Sequence, residues 1–279
     1  MAKIKVGFSM HPRWVGEEGL AAFLTPLRRE GLSVLEFELD SHLEMWNETR
    51  ELMEQCVGLG LDLCFHAPYR MPHRLSGFSG NDREVIIGDY QPLLDITREW
   101  AKRLGGQKTV VFHGARGEHE GHSQLFADTR DFCAWLLESY PELRFALENN
   151  NPSDSRVTKI GVSREEVLEL VMEFNSPRLG ICWDMGHDYL AHRDDSLASE
   201  WLERVIHVHI HDVDSQENDH FPLVYGRVPH ANWLAALHRV GMQGIVTLEL
   251  KGGNLAGWQP DEISKALTAS IQAIAGEVA

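Results

Sequence analysis

Cysteines, long apolar runs and linker-like segments are all scarce in this chain. Its four cysteines, Cys56, Cys64, Cys133 and Cys182, form no CxxC pair, which favours a reducing compartment over secretion. No apolar run approaches the ~18 residues of a membrane span. The first residues, MAKIKVGFSM, read as a strand and lack the apolar core of a signal peptide. The sequence therefore predicts a cytoplasmic protein with no membrane partner.

Basic residues are also few. The chain carries 26 Lys and Arg against 42 Asp and Glu, a formal net charge of −16. Nucleic-acid binding depends on clustered cations that neutralise phosphates. The richest local cluster, Arg70, His73 and Arg74 with Arg83 further on, is small. We therefore expect a small-molecule substrate and no nucleic acid, and we leave the formation of a homo-oligomer open.

Apolar runs of strand length alternate with helical patterns from end to end. Eight strands are predicted near residues 3–9, 33–39, 61–66, 108–113, 143–148, 179–184, 205–211 and 244–250. Eight helices are predicted near residues 17–30, 44–59, 83–104, 123–139, 163–175, 195–203, 231–240 and 260–276. Pro26 and Pro92 fall inside two of these helices, and a capping box of Ser163 and Glu166 marks the start of another.

Eight β/α units with short connections predict an α/β protein with a closed (β/α)8 TIM barrel, a single domain over residues 1–279. The alternative is a doubly wound open sheet. Its ligands would gather at one switch point rather than at the ends of many strands.

Six of the predicted strands end in the same way, with a metal-type ligand at the point where the loop begins. The ligands are His66, His113, Glu148, Asp184 with His187, His209 and Glu249. Parallel strands of a barrel deliver their carboxyl ends to one face, where the active site of such a fold lies. Histidine and carboxylate groups that converge there are ligands for a divalent metal.

Strand alternation predicts where these side chains point. Glu148 shares its face with Ala146, Asp184 with Cys182, and Glu249 with Thr247, while the bulky apolar residues between them take the other face. In VIHVHIHD, the histidines at 207, 209 and 211 lie opposite the apolar residues at 206, 208 and 210. The small and polar set must fill the narrow barrel, so the ligands converge on its axis.

These motifs, taken in order, resemble the xylose isomerase-like TIM-barrel superfamily, which contains sugar isomerases and epimerases as well as endonuclease IV. The resemblance covers nearly the whole chain. It is carried by HAPY at 66–69, FHG at 112–114, ALEN at 146–149, DMGH at 184–187, HIHD at 209–212 and LEL at 248–250.

The resemblance implies a divalent-metal site of one to three ions, of Mn, Zn or Co. Glu148, Asp184, His209 and Glu249 match the four ligands shared by the epimerases. His66 and His113 match ligands of a second metal, and His187 and His220 match ligands of a third. The family aspartate two residues before the last histidine is Asn218 here, with Asp219 displaced by one position.

Several of these residues have a second interpretation. His66 and His113 could be hydrogen-bonded core histidines. His187 could be a metal ligand or a base, and His220 could be a loop histidine without a role in the site. We assign Tyr69, His11, His211 and Arg227 to substrate binding. One inward-facing acid of EFELD (36–40) could touch the substrate, but these acids are expected on a solvated rim. His119 and His122 are expected to be exposed.

Two chemistries use such a site. In a sugar isomerase or epimerase, a metal chelates adjacent substrate oxygens while two carboxylates act as acid and base. Glu148 and Glu249 resemble this pair of carboxylates, and we expect His187 to be a further catalytic residue. In an endonuclease IV-like phosphodiesterase, clustered zinc ions generate the hydroxide. The net acidity and Asn218 favour the first reading, a metal-dependent isomerase or epimerase of a sugar or sugar-like polyol. HAPY and the extra histidines favour a multinuclear site.

Overall fold

Eight parallel strands close into a barrel. The computed structural model describes residues 4–10, 14, 19–39, 46–69, 74–152, 156–192 and 196–279. The strands are β1 Lys5–Met10, β2 Leu32–Glu38, β3 Asp62–His66, β4 Thr109–His113, β5 Arg144–Glu148, β6 Leu179–Asp184, β7 Val205–Ile210 and β8 Ile245–Leu248. Each pairs with the next in chain order, and β8 pairs with β1. The predicted (β/α)8 barrel is confirmed, because an open sheet would leave β1 and β8 unpaired.

Helices cover the outside of the barrel. They are α1 Leu20–Arg29, α2 Trp46–Gly58, α3 Arg83–Leu104, α4 His122–Ser139, α5 Arg164–Phe174, α6 Met185–His192, α7 Ser199–Arg204, α8 His230–Arg239 and α9 Pro260–Val278. Both α1 and α3 continue through their prolines. The capping box at the start of α5 is present, with Ser163 accepting from the backbone N–H of Glu166. The sequence did not predict α6, which begins directly after β6.

The alternation along the strands separates two apolar regions. Bulky residues such as Phe145, Leu147 and Trp183 belong to the large core under the helices. Val111, Ala146 and Cys182 form a separate small cluster, so the small residues point away from the helices as predicted. Filling the narrow barrel with small and polar groups leaves room for the ligands above them.

Ile206 departs from the predicted alternation. It packs against the small cluster of Val111, Ala146 and Cys182 instead of facing away from it. The pairing of β6 with β7 shifts register between Ile181 and Cys182. A shift of this kind moves the side-chain alternation by one residue locally.

Two short strands tie the loops at the mouth of the barrel. Arg116–Gly117, after β4, pairs antiparallel with Thr158–Lys159, after β5. Gly114 lies so close to this crossing that an added Cβ would be 2.8 Å from the carbonyl oxygen of Ile160. No helix of the described ranges is both long and apolar enough to cross a membrane.

Candidate metal centre

The carboxyl ends of six neighbouring strands deliver histidine and carboxylate side chains to one mouth of the barrel. His66, His113, Glu148 and Asp184 are the last residues of β3, β4, β5 and β6, His209 lies near the end of β7, and Glu249 follows β8. Their closeness follows from the parallel pairing of the strands, which places all carboxyl ends at the same rim.

Glu148 is the hub of this group. Its Oε2 lies 3.0 Å from Nε2 of His66 and 3.3 Å from Nε2 of His113. Its Oε1 lies 3.3 Å from Nδ1 of His209 and 3.7 Å from Nδ1 of His187. Only 1% of the residue is exposed. One buried carboxylate therefore joins four histidines from four different segments of the chain.

Glu249 joins His209 to His220. Its Oε2 lies 3.2 Å from Nδ1 of His209 and 3.2 Å from Nε2 of His220. Nevertheless Glu249 Oε2 and His209 Nδ1 are buried without a hydrogen bond of acceptable direction. Buried polar atoms ordinarily have partners. These two atoms lie close together, but neither points its lone pair at a hydrogen of the other. Metal ligands that point at a shared cation have this arrangement.

Asp184 gathers a second set of histidines. Nε2 of His211 lies 3.0 and 3.1 Å from its two oxygens, and Nδ1 of His187 lies 3.4 Å away. The backbone N–H of His187 donates to Asp184 Oδ1 at 2.7 Å. One ligand atom from each of Asp184, His187, His211 and His220 lies within 4.8 Å of the others.

The tautomer of His211 follows from its neighbours. The backbone N–H of His220 donates to His211 Nδ1 at 2.8 Å, so that nitrogen is an acceptor and Nε2 carries the proton. Nε2 then donates to Asp184. Gly186 makes this approach possible, because an added Cβ would lie 1.9 Å from the His211 ring. Glycine in DMGH is thus required by the packing of one imidazole.

The ionisable groups of the centre shift one another's pKa values. Burial alone would raise the pKa of Glu148, but His113, His209 and His66 hold it well below the usual range. Burial opposes the charged form of His66, yet the hydrogen bond that its ring donates to the Glu148 carboxylate raises its pKa to about 9. His220, beside Glu249 and Asp219, likewise has a pKa raised to about 9 against the effect of burial. Burial lowers the pKa of His113 to about 4. Charged His66 and His220 therefore favour the ionised forms of the buried carboxylates beside them, as a bound divalent cation would.

Asp219 completes the cluster around His187 and His220. Its Oδ1 lies 2.9 Å from Nδ1 of His220, and its Oδ2 lies 3.6 Å from Nε2 of His187. Asn218 instead donates to Asp214 within the loop at 2.9 Å. The carboxylate beside His187 and His220 is therefore that of Asp219, one position after Asn218. The left-handed backbone of His220, with φ 62°, is part of this local geometry.

Comparison with known proteins agrees with the architecture. A family model described as the xylose isomerase-like TIM barrel matches residues 24–273. The chain belongs to this family. A curated relative, an uncharacterized protein of Methanocaldococcus jannaschii, is 29% identical over 99 residues, which are 33% of this chain and 32% of that protein. This match spans about a third of the relative's length, so it transfers no activity.

Solved structures of xylose isomerase-like barrels superpose over almost the full chain. A D-tagatose 3-epimerase-like protein has a TM-score of 0.72 at 20% identity, covering 98% of this chain and 99% of that one. A D-allulose 3-epimerase from Methylomonas sp. has 0.71 at 17%, covering 99% of each chain. A D-psicose 3-epimerase from Clostridium cellulolyticum H10, solved with D-tagatose, has 0.70 at 17%, again covering 99% of each. At these identities the likeness establishes the fold.

Glu36 is the site residue that sequence reasoning placed wrongly. The acids of EFELD were expected on a solvated rim, but Glu36 is only 1% exposed. Its Oε1 lies 3.0 Å from Nε2 of His209, and its Oε2 lies 2.8 Å from Nε2 of His207. The available signal was the alternation of Glu36 with Leu35 and Phe37, which places it inside this family's barrel. Asp40 lies outside the described residues.

The residues assigned to substrate binding lie in different surroundings. The Tyr69 ring centroid is 4.6 Å from that of His113 and 5.7 Å from that of His66. His211 is fully buried, with both ring nitrogens bonded within the protein. Arg227 is half-buried, and its Nε is buried without a hydrogen bond to any described residue. His11, like Arg70 and His73, lies outside the described residues.

The two histidines of GEHEGHS are exposed, as predicted. His122 is the first residue of α4 and pairs with Glu166. Neither belongs to the centre.

Proposed function

We propose that this chain is a divalent-metal-dependent isomerase or epimerase of a sugar or sugar-like polyol. The observation that carries the proposal is the pair of glutamates facing one imidazole. Glu148 Oε1 and Glu249 Oε2 lie 3.3 and 3.2 Å from Nδ1 of His209. The three structural relatives described above are themselves named as 3-epimerases or 3-epimerase-like, which supports this class of reaction.

The donor set fits a metal ion. Glu148, Asp184, His209 and Glu249 would hold the principal ion, since they supply the oxygen and imidazole ligands that Mn, Co and Zn accept. A bound ion of this kind polarises the adjacent hydroxyl and carbonyl oxygens of a sugar and so acidifies the carbon-bound proton. His66 and His113, with Glu148, and His187 and His220, with Asp184 and Asp219, would hold further ions.

The protein's own part is proton transfer by Glu148 and Glu249. They stand on β5 and after β8, so they reach the centre from different sides of the barrel. One carboxylate removes the proton from the carbon, and the other, protonated, returns a proton to it or to its neighbour. Removal and return on opposite faces inverts the carbon, whereas transfer to the neighbouring carbon isomerises the sugar. His187, between Glu148, Asp184 and Asp219, serves as a ligand or as a base for a substrate hydroxyl.

The test is a panel of ketoses and polyols incubated in D2O with the purified chain and Mn, Co or Zn. We expect a metal-dependent epimer or isomer to form, with deuterium entering at one carbon, as followed by NMR. An absence of exchange in every sugar with every metal would reject the proposal.

The second candidate is an endonuclease IV-like phosphodiesterase or other metal-dependent hydrolase. The placement of Asp219 against His187 and His220 favours it, because this carboxylate completes a multinuclear donor set. The net charge of −16 opposes it, since a duplex requires many phosphate contacts. We expect no metal-dependent incision of an abasic duplex near physiological salt. Robust incision that is lost in Glu148→Gln would make this candidate the better one.

A further inference from the structure

A narrow cleft opens beside the metal centre at the mouth of the barrel. It is open to solvent on one side and is lined by residues that include Tyr69, Arg74, His113, Arg116 and Asn150.

A single imidazole separates the cleft from the catalytic carboxylates. Nε2 of His113 lies 3.3 Å from Glu148 Oε2, and its Nδ1 lies 3.1 Å from Oδ1 of Asn150, on the cleft side. A ligand that occupies the cleft is therefore a direct neighbour of a substrate at Glu148.

The two arginines of the cleft are not neutralised by described carboxylates. Two other cations near the mouth are paired with carboxylates: Lys251 contacts Asp219, and Arg164 contacts Asp188. Neither Arg74 nor Arg116 forms an ion pair of this kind within the described ranges. Arg116 is half-buried and lies over the ring of Tyr69, with its guanidinium carbon 6.0 Å from the ring centroid. In a chain with 42 acidic residues, two arginines that line one cleft and have no carboxylate partner among the described residues form a local positive site.

The backbone that carries Arg116 is held firmly. Its short strand pairs with Thr158–Lys159, with Arg116 opposite Lys159. Ala115, the preceding residue, accepts the backbone N–H of Ile160 at 2.9 Å and donates its own N–H to Thr129 at 2.8 Å. The backbone of Arg116 is therefore fixed at the edge of the cleft, which removes part of the entropic cost of binding there.

We infer that the Arg74–Arg116 cleft binds an oxyanion, a phosphate or a carboxylate, carried by the substrate. Guanidinium groups bind both oxyanions through paired N–H donors. The inference rests on the proposed function, because it makes the substrate an anionic sugar whose reacting carbons lie at Glu148 while its charged group lies beyond His113.

The test measures binding by calorimetry, separately from turnover. Inorganic phosphate, a phosphorylated ketose, a uronate and a neutral ketose are titrated into the full chain with and without metal. We expect the charged sugars to bind at least tenfold more weakly to Arg116→Gln, Arg74→Gln to show a smaller loss, and Arg116→Lys to retain part of the affinity. The neutral ketose should bind all variants alike. A preference for the phosphorylated ketose over the uronate, or the reverse, identifies the oxyanion.

The matched control is Arg28→Gln with Arg29→Gln. These two arginines line another cleft beside Leu32, the first residue of β2, at the opposite end of the barrel. Equal losses of affinity for the charged sugars in the control and in the cleft variants would overturn the inference. Phosphate binding that survives in both cleft variants but vanishes when the metal is removed would also overturn it. Binding that depends on the arginines, without turnover of any sugar, would reject the proposed function but support the anion-binding cleft. Turnover of a sugar without arginine-dependent binding would support the proposed function but reject the cleft.

Discussion

Glu36 Oε1 lies 3.0 Å from Nε2 of His209, so a carboxylate of β2 holds the ring whose other nitrogen faces Glu148 and Glu249. The two residues are separated by 173 positions in the chain. A carboxylate bonded to the far nitrogen of a metal-binding histidine fixes the orientation of the ring and raises its basicity.

The first prediction follows from this contact. Glu36→Gln should weaken the binding of Mn or Zn by roughly 10–100-fold, the range for a lost outer carboxylate. The dissociation constant is measured by competition with a chromophoric chelator, with Glu51→Gln, on the exposed face of α2, as the control. Unchanged affinity in Glu36→Gln would show that the contact is only structural.

The second prediction concerns the acid–base pair. Glu148→Gln and Glu249→Gln should each reduce turnover by at least about 10²–10⁴-fold, the contribution of a positioned proton carrier. The barrel should stay folded by circular dichroism. Glu165→Gln, at an exposed position of α5, should have full activity. Full activity of either site variant at saturating metal would contradict the assignment.

The third prediction concerns the number of ions. Because His66 and His113 both contact Glu148 Oε2, we expect more than one divalent ion per chain after loading with Zn or Mn. His66→Ala should lower the count in elemental analysis, and His122→Ala, an exposed histidine, should not. A count of one that His66→Ala leaves unchanged would mean that these histidines are structural or bind substrate.

The fourth prediction concerns Gly186. Gly186→Ala should destabilise the protein by about 1–3 kcal/mol or more, because a Cβ that collides with the His211 ring overpacks a buried site. Gly88→Ala, inside α3 with no atom within 4 Å of the added Cβ, should stabilise by about 0.5–1 kcal/mol. Chemical denaturation gives both values. Equal stabilities would refute the packing argument.

The fifth prediction concerns pH dependence at the opposite end of the barrel. Asp62, at the start of β3, pairs with Lys5 and Lys108. Partial burial would raise the pKa of Asp62, but the hydrogen bonds from both lysines lower it below its ordinary 3.8. A carboxyl group whose pKa is lower in the folded than in the unfolded chain stabilises the fold. The stabilisation is complete above the pKa of the unfolded chain, and it is lost as the pH falls through the pKa of the folded chain.

Asp62→Asn should therefore cost about 1–2 kcal/mol near neutral pH. This is at the low end for hydrogen bonds to a charged group, because Lys5 and Asp62 are partly exposed to solvent. The difference from the wild type should shrink as the pH falls below 3.8. Urea unfolding over this range measures it. A difference that is constant with pH would exclude the ion pairs as its source.

Much of the fold and part of the site could be predicted from local pattern. The strand-helix alternation fixed the barrel, because each β/α unit is recognisable within about 30 residues. The positions of Glu148, Asp184 and Glu249 at strand ends indicated the correct rim. Helix α6 was missed because MGHDYLAH follows β6 without a break, and its buried side chains depend on contacts with the barrel.

The sequence by itself determined that eight strands close into one barrel and which ligands stand at its mouth, because side-chain alternation and strand ends are local properties. Only the tertiary structure decided which residues meet. It places Glu36 inward against His209. It also places Asp219, rather than Asn218, beside His187, and Arg116 beside Tyr69. These relationships depend on the register of the barrel strands and on the left-handed backbone of His220. They also depend on the pairing of two loop segments, Arg116–Gly117 and Thr158–Lys159, that are far apart in the chain. No local pattern in the chain specifies them.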